Sequence, residues 1–302
     1  MSRTLFDLGA QGQLIVDLQT SLRTLGFGPG SLDGVYGQDT AAAVRGYQTK
    51  ASLPATGAVA DDQWTPMTGT PAPDVEQRSL QLTSTFEGHG YGLAQGNWDG
   101  AWLTWGIVGF TLKHGEIQTI IAEVDRQASA TIDAAFGADA AEIRRIVRAP
   151  AAEQEAWANQ ITVGSRLAEP WRTHFAQLGA QPEVQAAQRA RAHQDYFVPA
   201  LETAAALGLA SELGIALAFD IHVQNGGVSA AVREDLARTM AGAPEPAVRE
   251  ALANAVADHA KAQFREDVRS RKLAIARGEG VVHGRRVVLA SWGLADVAAV
   301  VA

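Results

Sequence analysis

A mainly α fold is predicted for this chain, and three observations carry the prediction. Apolar residues recur at helical spacing, alanine-rich amphipathic segments fill most of the stretch after residue 114, and glycine and proline gather in short runs between segments. At 302 residues the chain is long enough for two domains. With 47% hydrophobic and 19% charged residues it should bury a conventional core. Zero cysteines excludes disulfides and cysteine-ligated metals, and leaves the chain indifferent to the redox state of its compartment. The formal charge of −8 argues against nucleic acid as a partner, because phosphate binding needs a concentrated basic surface. No stretch is apolar enough to span a bilayer, so membrane insertion is not expected. The opening Met1-Ser2-Arg3-Thr4-Leu5-Phe6-Asp7 has no apolar run of export-signal length, so synthesis in the cytoplasm without a signal peptide is the expectation.

Taken in order, the first element is a helix over Gln13 to Leu25, with Leu14, Val16, Leu18, Leu22 and Leu25 as its apolar stripe and Gly26 as its stop. Gly28-Pro29-Gly30 and Asp33-Gly34 supply turns, and Asp39-Thr40 caps a second short helix. The run Pro66-Met-Thr-Gly-Thr-Pro-Ala-Pro73 removes backbone donors and reads as an extended, semi-rigid linker. The resulting division is a module over 1–66, a linker over 67–75 and a second domain over 76–302. In that domain a helix over about Asp74 to Phe86 precedes a glycine- and aromatic-rich stretch, Gly88 to Gly109, read as a small β-hairpin lobe. Helices follow over about 114–135, 139–148, 151–178, 182–208, 211–224, 228–241 and 246–277. Gly278, Gly280 and Gly284 read as turn glycines.

The N-terminal residues Leu18-Gln19, Leu25-Gly26-Phe27, Leu32-Asp33-Gly34-Val35-Tyr36-Gly37, Tyr47-Gln48, Leu53-Pro54, Thr56-Gly57 and Trp64 resemble the peptidoglycan-binding domain type 1 family. The resemblance covers nearly the whole module and implies a small three-helix-type fold that binds cell-wall polymer. In physical terms Asp33-Gly34 and Gly37 suit a turn with positive φ, and Gln19 and Gln48 can tie helices to loop backbone. Leu53 and Trp64 can close the core.

A glycosidase needs one protonated and one ionised carboxyl group flanking the scissile bond. Glu87, at a helix end where apolar packing can raise its pKa, and Asp99, in the turn-prone Asn97-Trp98-Asp99-Gly100, are a candidate general acid and general base. Spacing alone makes this a weak signal, since most acids are solvated surface charges. Leu82-Thr83-Ser84-Thr85-Phe86-Glu87 and Asp99-Gly100-Ala101-Trp102-Leu103-Thr104-Trp105-Gly106-Ile107-Val108-Gly109-Phe110-Thr111, however, resemble the catalytic segment of glycoside hydrolase family 46, chitosanases with a lysozyme-like α-helical fold. That resemblance implies Glu87 as acid, Asp99 as base and Thr104 as a residue helping to hold the attacking water. Ala218 to Gly226 resembles the family's buried helix carrying an Asp, here Asp220, and Asp267 to Arg271 a later helix carrying an Arg, here Arg271. In the family such charges form a network reaching the catalytic Glu, and a pair is physically sensible because an isolated buried Asp220 would be costly. Glu116 stands where the family reads substrate with an Asp, or starts a helix where the dipole favours an acid. Tyr91 and Trp102 are further candidates for substrate binding, and Trp98, Trp102 and Trp105 could stack on sugars or fill the core. His89, His114, His193 and His222 show no metal-ligand spacing, so no metal is expected, and the chemistry needs no cofactor.

The twelve-residue step from Glu87 to Asp99, shorter than in chitosanases and opened by Gly88-His89-Gly90-Tyr91-Gly92, implies a remodelled lobe and leaves the substrate open. Three readings follow. The first is an inverting endo-glycosidase acting on peptidoglycan or a related amino-sugar glycan, of muramidase or endolysin type, bacteriolytic and monomeric, reaching the periplasmic or extracellular wall through release by other machinery. The second is a chitosanase, and the third a non-catalytic wall-binding protein.

Overall fold

The computed structural model describes residues 2–88 and 90–301; His89 lies outside the described residues. The chain is mainly α, as predicted, and forms two compact units. One comprises the segment up to Thr85 together with the segment from Tyr196 onward, and the other runs from Phe86 to Asp195.

The first segment holds β1 (Thr4–Phe6), α1 (Gln13–Thr24), α2 (Gln38–Lys50), β2 (Val59–Ala60), α3 (Asp61–Thr68) and α4 (Val75–Glu87). β1 pairs antiparallel with β2, and α1 packs on α2 and α3. The face that α1 buries is Ile15, Leu18, Gln19 and Leu22, about one turn apart; of the predicted stripe Leu18 and Leu22 are buried, Leu14 and Val16 half-buried, and Leu25 is 42% exposed. Gln19 is tolerated there because its amide is fully used: Nε2 donates to Asp33 Oδ1 (3.1 Å) and Thr40 Oγ1 (3.0 Å), while Oε1 accepts from Gly34 N (3.0 Å). Gln48 does the same across the next loop, donating to the Ala58 carbonyl at 2.8 Å and accepting from Gly57 N at 2.9 Å. Trp64 is buried against Phe6, ring centroids 5.3 Å apart. Leu53 is 38% exposed and does not close the core. Gly34 has the expected positive φ of 72°, whereas Gly37, at φ −93°, serves as N-cap of α2, which begins just before Asp39-Thr40. Since α3 includes Pro66, the irregular run toward α4 begins at Gly69.

The second unit contains β3 (Ala94–Gln95), β4 (Thr104–Trp105), β5 (Phe110–Thr111), α5 (Glu116–Phe136), α6 (Ala140–Ile146), α7 (Ala151–Gln160), β6 (Thr162–Val163), β7 (Arg166–Leu167), α8 (Trp171–Gly179) and α9 (Pro182–Ala192). The predicted hairpin lobe is a five-stranded antiparallel sheet in the order β5-β4-β3-β7-β6. The single helix expected over 151–178 is split by the β6–β7 hairpin. Thr162-Val163 favours extended backbone, and Gly164, at φ 65°, makes the two-residue turn with Ser165. Behind the sheet, α5 packs against α8 through Phe136, Phe175 and Trp171, and also against α9. Gly179 lets α8 meet the chain closely, since a Cβ there would lie 2.2 Å from the Tyr91 carbonyl oxygen.

The chain returns to the first unit with α10 (Val198–Leu207), α11 (Glu212–Asn225), α12 (Ala230–Thr239), α13 (Glu245–His259), α14 (Arg265–Arg277), β8 (Glu279–Val282) and β9 (Arg285–Val288). α11 is buried on every face from Glu212 to Ile221, so no amphipathic stripe marks its orientation. The expected helix over 246–277 breaks at Ala260, whose ψ of 154° is extended, to give antiparallel α13 and α14. His283 (φ 49°) and Gly284 (φ 76°) form the tight turn of the β8–β9 hairpin.

An ion cluster joins both segments of this unit. Glu212 is 2% exposed and binds Arg78 (2.7 Å) and Arg3 (2.6 Å), and it accepts from Ala295 N at 3.2 Å. Burial alone would push the Glu212 carboxyl up, but hydrogen bonds from the two guanidiniums hold it below the usual carboxylate range.

Candidate active site

Glu87 is the last residue of α4 and is half-buried. Asp99 lies in the exposed loop between β3 and β4, and its Oδ1 accepts from Ala101 N at 3.0 Å. Asn97 fixes that loop from within and without. Its Oδ1 accepts from Trp102 N (3.1 Å), its Nδ2 donates to Asn159 Oδ1 (2.7 Å), and its backbone N–H donates to Thr162 Oγ1 (2.9 Å). Lys113 adds a bond to the Gly100 carbonyl at 3.1 Å. Within this clamp Trp102 takes a left-handed φ of 68°, a conformation that costs a bulky residue about 1–2 kcal/mol and persists only where its surroundings impose it. These bonds turn a glycine-containing segment into a fixed loop that presents the Asp99 side chain to solvent.

Thr104 stands on β4, its Cα paired with Gln95 on one side and Thr111 on the other. Strand alternation sends Trp105 to the opposite face, where it is fully buried, 5.4 Å from Phe175 and donating to the Phe175 carbonyl at 3.2 Å. Glu116 opens α5 and is buried; its Oε2 accepts from Thr111 N (2.7 Å) and Thr111 Oγ1 (3.0 Å). It therefore fastens β5, and through the β4–β5 pairing the strand of Thr104, to the start of a helix whose dipole favours its charge. Asp195 is close enough to feel Glu116: burial raises the Asp195 carboxyl, the Arg191 guanidinium opposes this, and the negative charge of Glu116 adds to it.

Tyr91 is 6% exposed, with the Arg189 guanidinium 6.0 Å from its ring centroid and donating to its hydroxyl at 3.3 Å. Trp102 is also largely buried, so of the aromatic candidates only Trp98 stands well out of the protein, at 61% exposure. Sequence reasoning missed Gln188. It is fully buried, donates to the Tyr91 carbonyl (3.0 Å) and accepts from Ile107 N (3.0 Å), thereby tying the glycine-rich segment to the strand segment behind Thr104. Its spacing on α9 carries no sign of that role, because both partners are backbone groups far away in sequence.

In the first unit, Asp220 of α11 pairs with Arg271 of α14, through Nη2–Oδ1 at 2.7 Å and Nε–Oδ2 at 3.0 Å. Two further partners were not foreseen. Lys272 Nζ lies 2.5 Å from Oδ2, and Thr83 Oγ1 donates to Oδ1 at 2.9 Å. All three charged side chains are at most 1% exposed. Burial would raise the Asp220 carboxyl, but Arg271 and then Lys272 hold it far below the usual range. Thr83 sits one turn before Glu87 on the same helix, so the cluster grips α4 close to its end.

Of the histidines named from the sequence, His114 shares a hydrogen bond with Thr111 (2.8 Å) and His222 with Thr203 (2.9 Å). Among the described residues no group of three or more His, Cys, Asp or Glu is placed to hold a metal ion, and no helix is long and apolar enough to cross a membrane.

Residues 11–67 match the model of the peptidoglycan binding domain, and residues 79–261 match the model of glycosyl hydrolase family 46. No curated protein matches the chain. Similar solved structures include a native chitosanase from Bacillus subtilis MY002, at 19% identity over 68% of this chain and 86% of that one, TM-score 0.48. Another is a Gynuella sunshinyii family 46 chitosanase in complex with chitotetraose, at 20% identity over 72% of this chain and 98% of that one, TM-score 0.48. The match over residues 79–261 spans more than half of the sequence, and the chain belongs to glycosyl hydrolase family 46 and is a glycoside hydrolase.

Proposed function

We propose that the protein is an inverting endo-glycosidase that cuts the glycan strands of peptidoglycan. The observation that carries this reading is the presence, in one chain, of a match to a peptidoglycan binding domain over 11–67 and a glycoside hydrolase match over 79–261. A module that holds wall polymer raises the local substrate concentration only for an enzyme acting on that polymer. The organisation is a binding module over 1–66, a linker over 67–75 and a hydrolase domain over 76–302. The protein acts as a monomer on the bacterial wall, after release of the endolysin type.

Glu87 donates a proton to the glycosidic oxygen as the bond to the anomeric carbon breaks. Asp99 takes a proton from the water that attacks the opposite face, and Thr104 helps to hold that water. Net, one water is consumed and one reducing end is formed with inverted configuration, which requires a carboxyl separation of about 6.5–9.5 Å in the closed complex. The helix-terminal position of Glu87 and the solvent access of Asp99 support these roles. Tyr91, Trp102 and Glu116 contribute to substrate binding, directly or by shaping the lobe, and Asp220 with Arg271 supports α4. The acid and base suffice without a cofactor.

The decisive experiment incubates the protein with purified sacculi and measures new reducing ends. Turnover by the wild type and its loss in Glu87→Gln and Asp99→Asn are expected; intact glycan after prolonged incubation sinks the reading. The family membership itself, and the chitosanases among the similar structures, favour a second reading in which chitosan is the substrate. Chitosan oligomers incubated in parallel decide between the two, and binding to sacculi without turnover of either glycan would favour a non-catalytic wall-binding protein.

A further inference from the structure

The second unit carries a groove of about 560 Å³ that none of the assigned roles uses, lined by Leu93, Gln95, Trp98, Ser165, Arg166 and Arg172. Its apolar wall is unusual in facing water: Trp98 is 61% and Leu93 39% exposed. The indole is nonetheless oriented, because its Nε1 donates to Gln95 Oε1 at 3.3 Å. An indole fixed by its polar edge leaves a flat face open for stacking. The opposite wall is equally fixed. β7 pairs with β3 at Gln95 and Arg166, Gly96 N donates to the Ser165 carbonyl at 3.1 Å, and a Cβ at Gly96 would lie 2.5 Å from Thr162 Oγ1. Paired β3 and β7 thus supply Gln95 and Arg166, Leu93 and Trp98 flank β3, and Arg172 comes from α8, so the groove is framed by paired strands.

The charge of the groove selects among glycans. Arg172 is neutralised by Glu169, with Nη2–Oε1 at 2.5 Å. Arg166 is exposed and makes no ion pair among the described residues, so a guanidinium without a carboxylate faces the groove of a chain whose net charge is −8. A guanidinium pairs with carboxylate in a planar, two-point geometry and repels the ammonium group of a deacetylated amino sugar. Trp98 immediately precedes Asp99 in the chain, so a sugar stacked there lies beside the loop that carries the proposed base.

We propose that this groove is a subsite for a carboxylate-bearing amino sugar, with Trp98 stacking on the ring and Arg166 pairing with the acid. The inference rests on the peptidoglycan reading and applies to strands freed of their stem peptides, because a stem consumes the sugar's carboxyl in an amide bond; on such strands it names what would make the enzyme prefer an acidic glycan to a cationic one.

The test uses the full chain with Glu87→Gln to stop turnover. Calorimetry measures binding of a stem-free tetrasaccharide of alternating N-acetylglucosamine and N-acetylmuramic acid, and of neutral, fully acetylated chitotetraose. Arg166→Glu should weaken the acidic tetrasaccharide about tenfold or more and leave the neutral one within about twofold, while Trp98→Ala weakens both. Arg166→Gln, milder in charge, should fall between, and melting curves confirm that each variant is folded. Equal effects of Arg166→Glu on both probes, or none on the acidic one, overturn the subsite. Hydrolysis of sacculi by the wild type is measured separately. Cleavage without any dependence of binding on Arg166 removes the subsite and leaves the enzyme reading. Arg166-dependent binding with intact sacculi removes the enzyme reading and keeps the subsite.

Discussion

Asp220→Ala should be among the most damaging single substitutions in the first unit. The side chain accepts from Thr83, Arg271 and Lys272, and it is fully buried with both cations at most 1% exposed. Removing it takes from two buried cations the carboxylate that they share, together with the acceptor for a buried hydroxyl. Breaking one buried ion pair from one side costs about 3–5 kcal/mol, because the remaining charge has already lost its hydration. With two cations sharing the carboxylate, the upper end of that range is expected. For a unit of roughly 190 residues each kcal/mol lowers the melting temperature by about 2–4 °C, so a fall on the order of 10–20 °C follows. Circular dichroism melting at pH 7 checks it, with urea midpoints as a second measure. A fall of less than about 2 °C with unchanged cooperativity would refute the argument that this carboxylate compensates the buried cations.

Further expectations concern acid stability and the sheet. Glu212 and Asp220 are both held below their ordinary values, so the unfolded state takes up protons first on acidification. Their stabilisation is complete above roughly pH 5 and is lost as pH falls through about 4 toward the depressed folded values, giving a melting temperature that is level near neutrality and drops in acid. Asp195, raised by burial, contributes in the opposite sense: its share is present below its unfolded value and fades as pH rises through the folded one. Asp220→Asn should flatten the acid slope, measurable as melting temperature against pH; an unchanged slope would show that other carboxylates set it. Gln188→Ala removes the amide that links the Tyr91 carbonyl to the Ile107 N–H and should cost about 1–3 kcal/mol, read as a lower urea midpoint, with reduced hydrolysis because Tyr91 and the β4 segment are no longer tied through it. Gly179→Ala brings a methyl to 2.2 Å from the Tyr91 carbonyl and should cost about 1–3 kcal/mol by displacing that segment; an unchanged melt would mean the α8 end yields freely.

Residues read in the sequence include several whose significance is local. The glycine and turn pattern around Asp33-Gly34, the amides of Gln19 and Gln48, and the end of α4 at Glu87 all depend on neighbours within about twenty residues, and the structure has them where expected. The two long helices predicted over 151–178 and 246–277 show the limit of such reading. Each was read across a short interruption, Thr162 to Leu167 and Ala260, whose local signals cover only a few residues; strand pairing of β7 with β3 in one case and packing of α13 on α14 in the other fix the break.

What the sequence by itself determined is the mainly α class and the family resemblance of both halves, and that resemblance is what pointed to Asp220 and Arg271 as partners. Only the tertiary structure decided that Lys272 and Thr83 complete that cluster, that Gln188 spans two backbone segments, and that Glu212 collects Arg3 and Arg78 from the far end of the chain. It also separated three indoles that look alike in sequence, burying Trp105, largely burying Trp102 and leaving Trp98 in water. The physical reason is common to all of them. Periodicity and turn chemistry are set within a few residues, whereas the partner of a buried charge, amide or ring is whatever the fold brings within about 3–6 Å, at any distance along the chain.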